Sequence, residues 1–454
     1  MSARQAELPG AVEELMPRAL ADLKGLVAFR SVQNPDVEDP QECRRAAEWV
    51  RAAFADLGLQ DTRLVTTPDG SDAVIGHYDG PPGAPRVLLY AHYDVQPASN
   101  TSDWRTDPFT LTEHEGRYYG RGAADCKGSI VTHLTALRAL LTTGEIPVSL
   151  TVVIEGSEEQ GTAGLEQYVQ QHPEEFAADA ILIQDTGNVR VGQPTLTTAL
   201  RGVVDMNVEV AATAGELHSG QYGGAAPDAV AALIAILASL RDEDGNTTIT
   251  GLDASGTWTG TGYDEATFRT DAGMLEGTRV LGSGSIADTL WARPAVTVLG
   301  IDAPGVTGAV SAIQPRAGAR LNLRVPPGMD PAQAARLLAE HVQQAAPWGV
   351  RVRTETVGLG APFAARTDTP VFDQLSQALT EAFGTPTITS GMGGAIPLTA
   401  ALAEAHPQAA IVMLGLSDPA SGMHAPNESV HPEEIRHTAH GVALFLDRLG
   451  AQSS

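Results

Sequence analysis

The chain has 454 residues, of which 43% are hydrophobic, and its 55 acidic side chains against 29 basic ones give a formal net charge of −26. A chain of this length is too long to fold around a single hydrophobic core, so two domains are expected. The acidic surplus argues against nucleic acid and anionic membranes as partners, because both repel a negative protein.

The two cysteines, Cys43 and Cys126, do not indicate a disulfide framework. The first 14 residues are acidic and contain no apolar signal segment, and no apolar run is long enough to span a bilayer. The sequence therefore predicts a cytoplasmic location.

The N-terminal part predicts two helices followed by strands. Apolar residues recur at helical spacing over 11–29. Asp39 is the expected N-cap of a second helix, with Pro40 at its first position and Gly58 as its stop. Residues 60–78 then favour two strands joined by a turn.

Strands and helices alternate through the next hundred residues. Apolar strands are predicted at 87–90, 149–154 and 180–183, with helices at 129–141 and 164–171. Such alternation is typical of a mostly parallel sheet covered by helices on both faces.

Polar side chains follow three of these strands directly. His92 comes after the first, Glu158 and Glu159 after the second, and Asp185 after the third. Because ligands bind at the carboxyl ends of the strands in open α/β sheets, we expect these side chains to share one edge.

From about residue 195 the pattern becomes that of an α+β domain. Residues 203–211 alternate with a period of two, as in a half-exposed antiparallel strand. A helix is predicted from 227 to 240, and the Gly/Thr-rich stretch 245–286 predicts an irregular insertion. Further elements predicted here are strands at 295–299, 319–325 and 350–357, and a helix beginning at Asp330-Pro331.

The last part of the chain returns to helices around an apolar strand, at 370–383, 409–414 and 432–449. We therefore predict an α/β fold with a discontinuous catalytic domain, formed by residues 1–195 and 358–454. Residues 196–357 would form an inserted α+β lid or dimerisation domain.

The candidate metal ligands are imidazoles and carboxylates. His92 leaves a strand end, and Asp94 lies two residues on, where it can accept the other ring N–H. If the five candidates converge, they supply two nitrogens and at least three carboxylates, which suits two bridged ions about 3.5–4 Å apart better than one tetrahedral ion. The five candidates are His92, Asp125, Glu159, Asp185 and His424.

Three ordered motifs carry a family resemblance. The segments 92–97, 120–125 and 155–159 resemble the early motifs of the M20 metallopeptidases, and their longer forms resemble the carnosinase-like dipeptidase branch. The resemblance implies that Asp125 bridges two ions. His92 and Asp185 would hold one ion and Glu159 and His424 the other, with Glu158 as general base and Asp94 as a further residue of the catalytic group.

The same resemblance extends to substrate contacts. His424 lies in the late family motif that continues through Asn427-Glu428. His218 matches a family loop histidine that reaches the partner subunit's active site and stabilises the carbonyl oxygen. Arg324 matches an arginine that binds a substrate carboxylate, and Gly394 lies in the Gly-Gly-x-Ile-Pro core of a substrate loop.

Some positions depart from the family pattern. Cys126 stands where the dipeptidase branch has an acidic or amide residue, and we do not expect it to bind metal. Gly391 and Met392 occupy the region where an Arg-Glu pair often precedes the substrate loop, and Ala395 replaces a common serine. These departures concern substrate specificity rather than the metal centre.

We therefore expect a dinuclear metal-dependent hydrolase that cleaves dipeptides or short peptides by metal-activated water. The expected cofactors are two divalent ions, Zn²⁺ with Mn²⁺ or Co²⁺ as alternatives, and the expected assembly is a homodimer. An N-acyl- or N-carbamoyl-amino-acid amidohydrolase of the same fold is the nearest alternative. A catalytically inactive binding or scaffold protein is another, and the presence of all five ligands and of Glu158 argues against it.

Overall fold

The computed structural model describes residues 2–451. Its strands are β1 Gln60–Thr66, β2 Asp72–Tyr78, β3 Arg86–His92, β4 Thr112–His114, β5 Arg117–Tyr119, β6 Ser149–Glu155, β7 Ala180–Gly187, β8 Thr195–Leu200, β9 Gly202–Ala211, β10 Leu217–His218, β11 Ala295–Asp302, β12 Ala312–Ile313, β13 Arg316–Val325, β14 Arg351–Gly360, β15 Phe363–Ala364, β16 Ile388–Met392, β17 Ala410–Ser417 and β18 Ser429–Val430.

The α-helices are α1 Ala3–Val27, α2 Pro40–Ala55, α3 Lys127–Thr142, α4 Gly164–Gln171, α5 Ser219–Tyr222, α6 Ala229–Ala238, α7 Glu265–Asp271, α8 Pro331–Gln344, α9 Pro370–Phe383, α10 Pro397–Ala405 and α11 Pro432–Ala451. Short 3₁₀ turns occur at Thr101–Asp103, Glu158–Gln160 and Pro173–Phe176, and a π turn at Asp288–Ala292. Within residues 2–451, no helix combines the length and the apolar character needed to cross a membrane.

The chain divides into two compact units. The first comprises the residues up to Thr198, Ala365–Ser390 and the residues from Ile396 onward, and the second comprises Ala199–Ala364 with Gly391–Ala395. The first unit is thus assembled from separate stretches of the chain. A catalytic role for the first unit and a lid or dimerisation role for the second stay predictions.

The sheet of the first unit is parallel at its centre. β6, β3, β7 and β17 lie side by side in this order and run parallel. β2 and β1 extend it on one side and β8 on the other, all antiparallel to their neighbours. The predicted mixed α/β fold with a mostly parallel central sheet is confirmed, with antiparallel strands at its margins.

Both faces of the central strand β3 are buried. Val87, Leu89 and Ala91 pack in one continuous core with residues of α1, α2, α3, α9 and α11. Leu88 and Tyr90 point to the opposite face and are also fully buried. A strand buried on both faces reads as an uninterrupted apolar run, which explains the pattern at 87–90.

The helix starts follow ordinary capping chemistry. The Asp39 carboxylate accepts the backbone N–H of Gln41 ahead of Pro40, as predicted. α1 begins earlier than the predicted residue 11, because Ser2 and Gln5 form a capping box there.

The second unit is built on a four-stranded antiparallel sheet in the order β11-β13-β9-β14. Its core packs the inward side chains of these strands, such as Val208 and Leu321, against α6 and α8. The prediction that the stretch 245–286 is irregular is wrong in part, because this stretch contains α7. The helix begins where the Asp264 carboxylate accepts the backbone N–H of Thr267. The predictions also lacked β8 and α10.

Candidate active site

The predicted metal ligands of the first unit meet at the carboxyl edge of the parallel strands. His92 is the last residue of β3, and Asp185 lies near the end of β7, which pairs with β3. Glu158 and Glu159 lie in the 3₁₀ turn that follows β6, the other neighbour of β3. The strand order therefore brings together residues that are far apart in sequence.

Asp125 lies between the two histidines. Its Oδ1 is 3.0 Å from His92 Nε2 and its Oδ2 is 3.1 Å from His424 Nε2. Asp185 Oδ1 is 3.1 Å from the same His92 nitrogen, and Glu159 Oε2 is 3.1 Å from the same His424 nitrogen. The two carboxylate oxygens of Asp125 thus face two separate groups of donors.

These donors fit two divalent ions. The ligand atoms of Asp125, Glu159 and His424 lie within 4.8 Å of one another, and His92 and Asp185 belong to a second such group. Glu159 Oε1 is buried and has no hydrogen-bond partner among residues 2–451. A buried carboxylate oxygen without a donor is expensive unless a cation binds it.

Cys126 is also within reach of His92 and Asp185. Its thiol donates a hydrogen bond to the carbonyl oxygen of Gln184, with a sulfur–oxygen distance of 3.1 Å. Burial raises the pKa of this thiol to about 12. The sulfur therefore serves as a hydrogen-bond donor to the main chain, and the expectation that it does not bind metal stays a prediction.

The cluster concentrates negative charge. Burial raises the pKa of Glu158 well above its usual value, and the neighbouring charge of Asp185 raises it further. Burial also raises the pKa of Asp185, with the charges of Asp125 and Glu159 adding to the effect. Carboxylates that oppose one another's ionisation in this way form a site that favours cations.

His424 occupies an unusual backbone conformation. Its φ of 60° lies in the left-handed region, which residues other than glycine rarely adopt. Hydrogen bonds to Asp125 and then Glu159 raise the pKa of the imidazole to about 10. A left-handed backbone such as that of His424 persists only when the surrounding contacts fix it, and it is often found at functional sites.

Asp94 fixes both neighbouring segments. His92 Nδ1 is 3.0 Å from the carbonyl oxygen of Asp94 and 3.4 Å from its carboxylate. The carboxylate accepts the backbone N–H groups of Glu158 and Glu159, at 3.2 and 3.0 Å. Asp94 therefore orients the histidine mainly through its main chain, while its side chain sets the turn that carries the two glutamates.

His218 lies in the second unit, at the end of β10 and at the start of α5. Its exposed ring accepts the backbone N–H of Gly220 at Nδ1, with a distance of 3.1 Å. This bond places the ring proton on Nε2 in the neutral imidazole. His218 consequently presents an N–H donor to its surroundings.

Arg324 also lies in the second unit, and its charge interacts with that of Arg201, a residue that sequence reasoning missed. The Nε and Nη1 atoms of Arg201 are buried and have no hydrogen-bond partner among the residues from 2 to 451. Burial, and then the charge of Arg324, lowers the pKa of Arg201 to about 10. A buried guanidinium with two nitrogens unpartnered within residues 2–451, whose charge interacts with that of a second arginine, is suited to an anion such as a carboxylate.

The predicted substrate loop packs closely around two of its glycines. A Cβ at Gly391 would lie 2.4 Å from Trp291 Cγ, and a Cβ at Gly393 would lie 2.8 Å from Arg201 Nη2. A Cβ at Gly394 would have only Met392 Cε near it, at 3.6 Å. The departure at Gly391 therefore has a steric reason, because the indole of Trp291 takes the space of a side chain.

Comparison with known proteins identifies the family of the chain. A model of the peptidase family M20/M25/M40 matches residues 88–448. A cysteinylglycine-S-conjugate dipeptidase of Corynebacterium striatum is 44% identical over 434 residues, which cover 94% of this chain and 95% of that protein. The human β-Ala-His dipeptidase is 28% identical, with 87% and 81% covered.

Solved structures agree in fold. The crystal structure of human carnosine dipeptidase 1 covers 99% of both chains with a TM-score of 0.83 and 25% identity. The dipeptidase Dug1p of Saccharomyces cerevisiae gives the same TM-score and coverage at 22% identity. At this identity the match supports a shared fold only. The predicted membership is confirmed: the chain belongs to the peptidase family M20/M25/M40.

Proposed function

We propose that this enzyme is a dinuclear metal-dependent dipeptidase. The observation that carries the proposal is the position of Asp125, whose two carboxylate oxygens face His92 and His424 separately. One carboxylate shared by two sets of donors is the arrangement expected of a two-metal hydrolase. His92 and Asp185 would hold one ion, and Glu159 and His424 the other.

Bound divalent ions would supply Lewis acidity, polarising the scissile carbonyl and making water a nucleophile at neutral pH. Zn²⁺ suits a set of imidazoles and carboxylates, and Mn²⁺ and Co²⁺ are the alternatives. Glu158 accepts the proton from the attacking water and gives it to the leaving amine. A carboxylate whose pKa is raised by burial is adapted to this exchange.

His218, Arg324 and Gly394 would supply the substrate contacts, as the family resemblance implies. His218 donates its Nε2–H to the carbonyl oxygen that becomes negative in the transition state. Arg324 binds the free carboxylate of the substrate together with Arg201, whose pKa it lowers, and Gly394 forms part of the loop around the substrate. The name of the Corynebacterium relative makes cysteinylglycine and its S-conjugates the first dipeptides to test.

The test is hydrolysis of a dipeptide panel by protein stripped of metal and then resupplied with Zn²⁺, Mn²⁺ or Co²⁺. The panel contains cysteinylglycine, an S-conjugate of it, β-Ala-His and N-acyl amino acids. Cleavage of dipeptides only after metal is restored supports the proposal. Cleavage of N-acyl amino acids alone would favour the amidohydrolase, and failure to bind any metal would refute the metal centre.

We also propose that the protein is a cytoplasmic homodimer in which His218 acts in the partner subunit's site. β11 is an edge strand of the second unit, and its Leu299 and Ile301 side chains are 59% and 54% exposed. An exposed apolar edge strand favours association with another chain.

Mixing two inactive variants tests this arrangement. Glu158→Gln and His218→Ala homodimers are dissociated and reassociated together. If His218 acts across the interface, mixed dimers contain one complete site and recover activity. No recovery after confirmed exchange of subunits would refute it.

A further inference from the structure

The buried glutamate of the late motif, Glu428, is held against the turn that carries Asp125. Its Oε1 accepts the backbone N–H groups of Ala124 and Asp125, at 3.0 and 3.1 Å. Its Oε2 accepts the backbone N–H of Gly122 at 3.0 Å and Arg121 Nη1 at 2.8 Å. Four donors therefore converge on one carboxylate that is fully buried.

This pattern distinguishes Glu428 from the metal ligands. A carboxylate has about four lone-pair directions, and here each oxygen already has two donors. Glu159 differs, because its Oε1 is buried and without a partner in the described part of the chain. Glu428 is therefore engaged entirely with protein and has no lone pair to offer an ion.

The contacts of Glu428 join the two segments that face each other across the centre. His424 and Glu428 belong to one loop, and Asp125 lies on the turn opposite. The loop holds the Asp125 backbone through Glu428 and faces the Asp125 side chain with His424 Nε2. Its far end is anchored because Ser429 and Val430 pair with Tyr119 and Tyr118.

We propose that Glu428 is a positioning residue for the bridging carboxylate, so that it controls the affinity for both metal ions together. The proposal rests on the dinuclear centre proposed above. Because Asp125 would serve both ions, a shift of its backbone would affect both sites, whereas loss of His92 or His424 would act first on one. Residues that orient ligands commonly change metal affinity about 10- to 100-fold when they are replaced.

Glu428→Gln is the first variant. A glutamine has one acceptor oxygen, so its NH₂ group must face N–H donors in either orientation, and the turn is displaced. Glu434→Gln is the matched control, because Glu434 is also fully buried and accepts Gly192 N at 2.7 Å and the side-chain amide of Asn188. Both variants lose a buried, hydrogen-bonded carboxylate, and only the first adjoins Asp125.

The readout is titration of metal-free protein with Mn²⁺ by calorimetry, together with the electron paramagnetic resonance signal of the coupled Mn²⁺ pair. We expect Glu428→Gln to weaken both binding steps about 10- to 100-fold and to change the coupling signal. Glu434→Gln should retain wild-type affinities and signal even if its resistance to urea falls equally.

Glu428→Asp provides a second variant if the glutamine protein does not fold. It keeps the negative charge beside Arg121 but withdraws the carboxylate by one methylene, and we expect intermediate affinities. Wild-type affinities and coupling in a folded Glu428 variant would overturn the inference. A wild-type protein that binds no Mn²⁺, Zn²⁺ or Co²⁺ would instead refute the metal centre itself, so the two failures are distinguishable.

Discussion

Replacement of Glu158 by glutamine should change activity and stability in opposite directions. The substitution keeps the size of the side chain and removes the proton acceptor. Loss of a general base commonly lowers kcat about 10²- to 10⁴-fold, which corresponds to about 3–5 kcal/mol in the activation free energy. Because Glu158 is not among the proposed ligands, two ions should still bind.

The stability change follows from the charges around Glu158. Burial opposes the ionisation of this carboxyl most strongly, followed by the negative charge of Asp185; His92 favours ionisation, and Glu159 and Asp125 oppose it. At an effective dielectric constant of ~20, one like charge a few ångströms away contributes about 2–4 kcal/mol of repulsion. In the wild type, part of this repulsion is already relieved because Glu158 can take up a proton. We therefore expect the metal-free Glu158→Gln variant to gain only ~1–2 kcal/mol of unfolding free energy.

The assay combines dipeptide hydrolysis, metal content and urea unfolding of the metal-free protein. Glu159→Gln is the matched control, since it removes a proposed ligand at the adjacent position and should lower metal content. Glu158→Gln activity within tenfold of the wild type would refute the role of the base. A metal-free Glu158→Gln protein less stable than the wild type would refute the argument from charge repulsion.

Three further predictions concern other parts of the chain. Gly391→Ala should lower the unfolding free energy by about 1–3 kcal/mol because its methyl group meets Trp291, whereas Gly394→Ala should be tolerated; urea unfolding of both variants checks this, and equal stabilities would contradict it. Arg201→Met should raise KM about 10- to 100-fold for dipeptides with a free carboxylate, the effect of losing a charged hydrogen bond, with C-terminally amidated dipeptides as the control; an unchanged KM would exclude a carboxylate contact. Burial lowers the pKa of His133 to about 4, so the unfolded chain binds the extra proton first and stability should fall by up to ~1.4 kcal/mol per pH unit as pH drops from about 6.5 to 4. Comparison of urea midpoints at pH 7.5 and 5 should show a smaller pH effect in His133→Gln, and an equal effect would count against this histidine as the source.

The clustering of the candidate ligands was predictable because each has a local signal. His92 and Glu159 follow apolar strands directly, and Asp125 lies in a glycine-rich turn. The order of the strands in the sheet then places the carboxyl ends of these strands side by side. The fold class was predictable for the same reason, since strand and helix periodicities are local properties of the sequence.

The missed residues depend on contacts that no local pattern reveals. Arg201 resembles any arginine between two strands, and it is distinguished only by two buried nitrogens that lack a partner within residues 2–451. Glu428 contacts a turn that lies 303 to 307 residues earlier in the chain. The helix α7 was missed within a Gly/Thr-rich stretch, although its N-cap, Asp264, was a readable signal.

The position of His424 and Glu428 after the second unit has a consequence for biosynthesis. A ribosome completes His92, Asp125, Glu159 and Asp185 early, but it adds the remaining histidine and the glutamate only after the whole of residues 199–364. A nascent or truncated chain that stops earlier would hold only one of the two histidines proposed as ligands, and its Asp125 turn would lack the contacts of Glu428. If both histidines are needed for the proposed centre, peptide cleavage would begin only after translation has passed the late motif, and shorter products would be inactive.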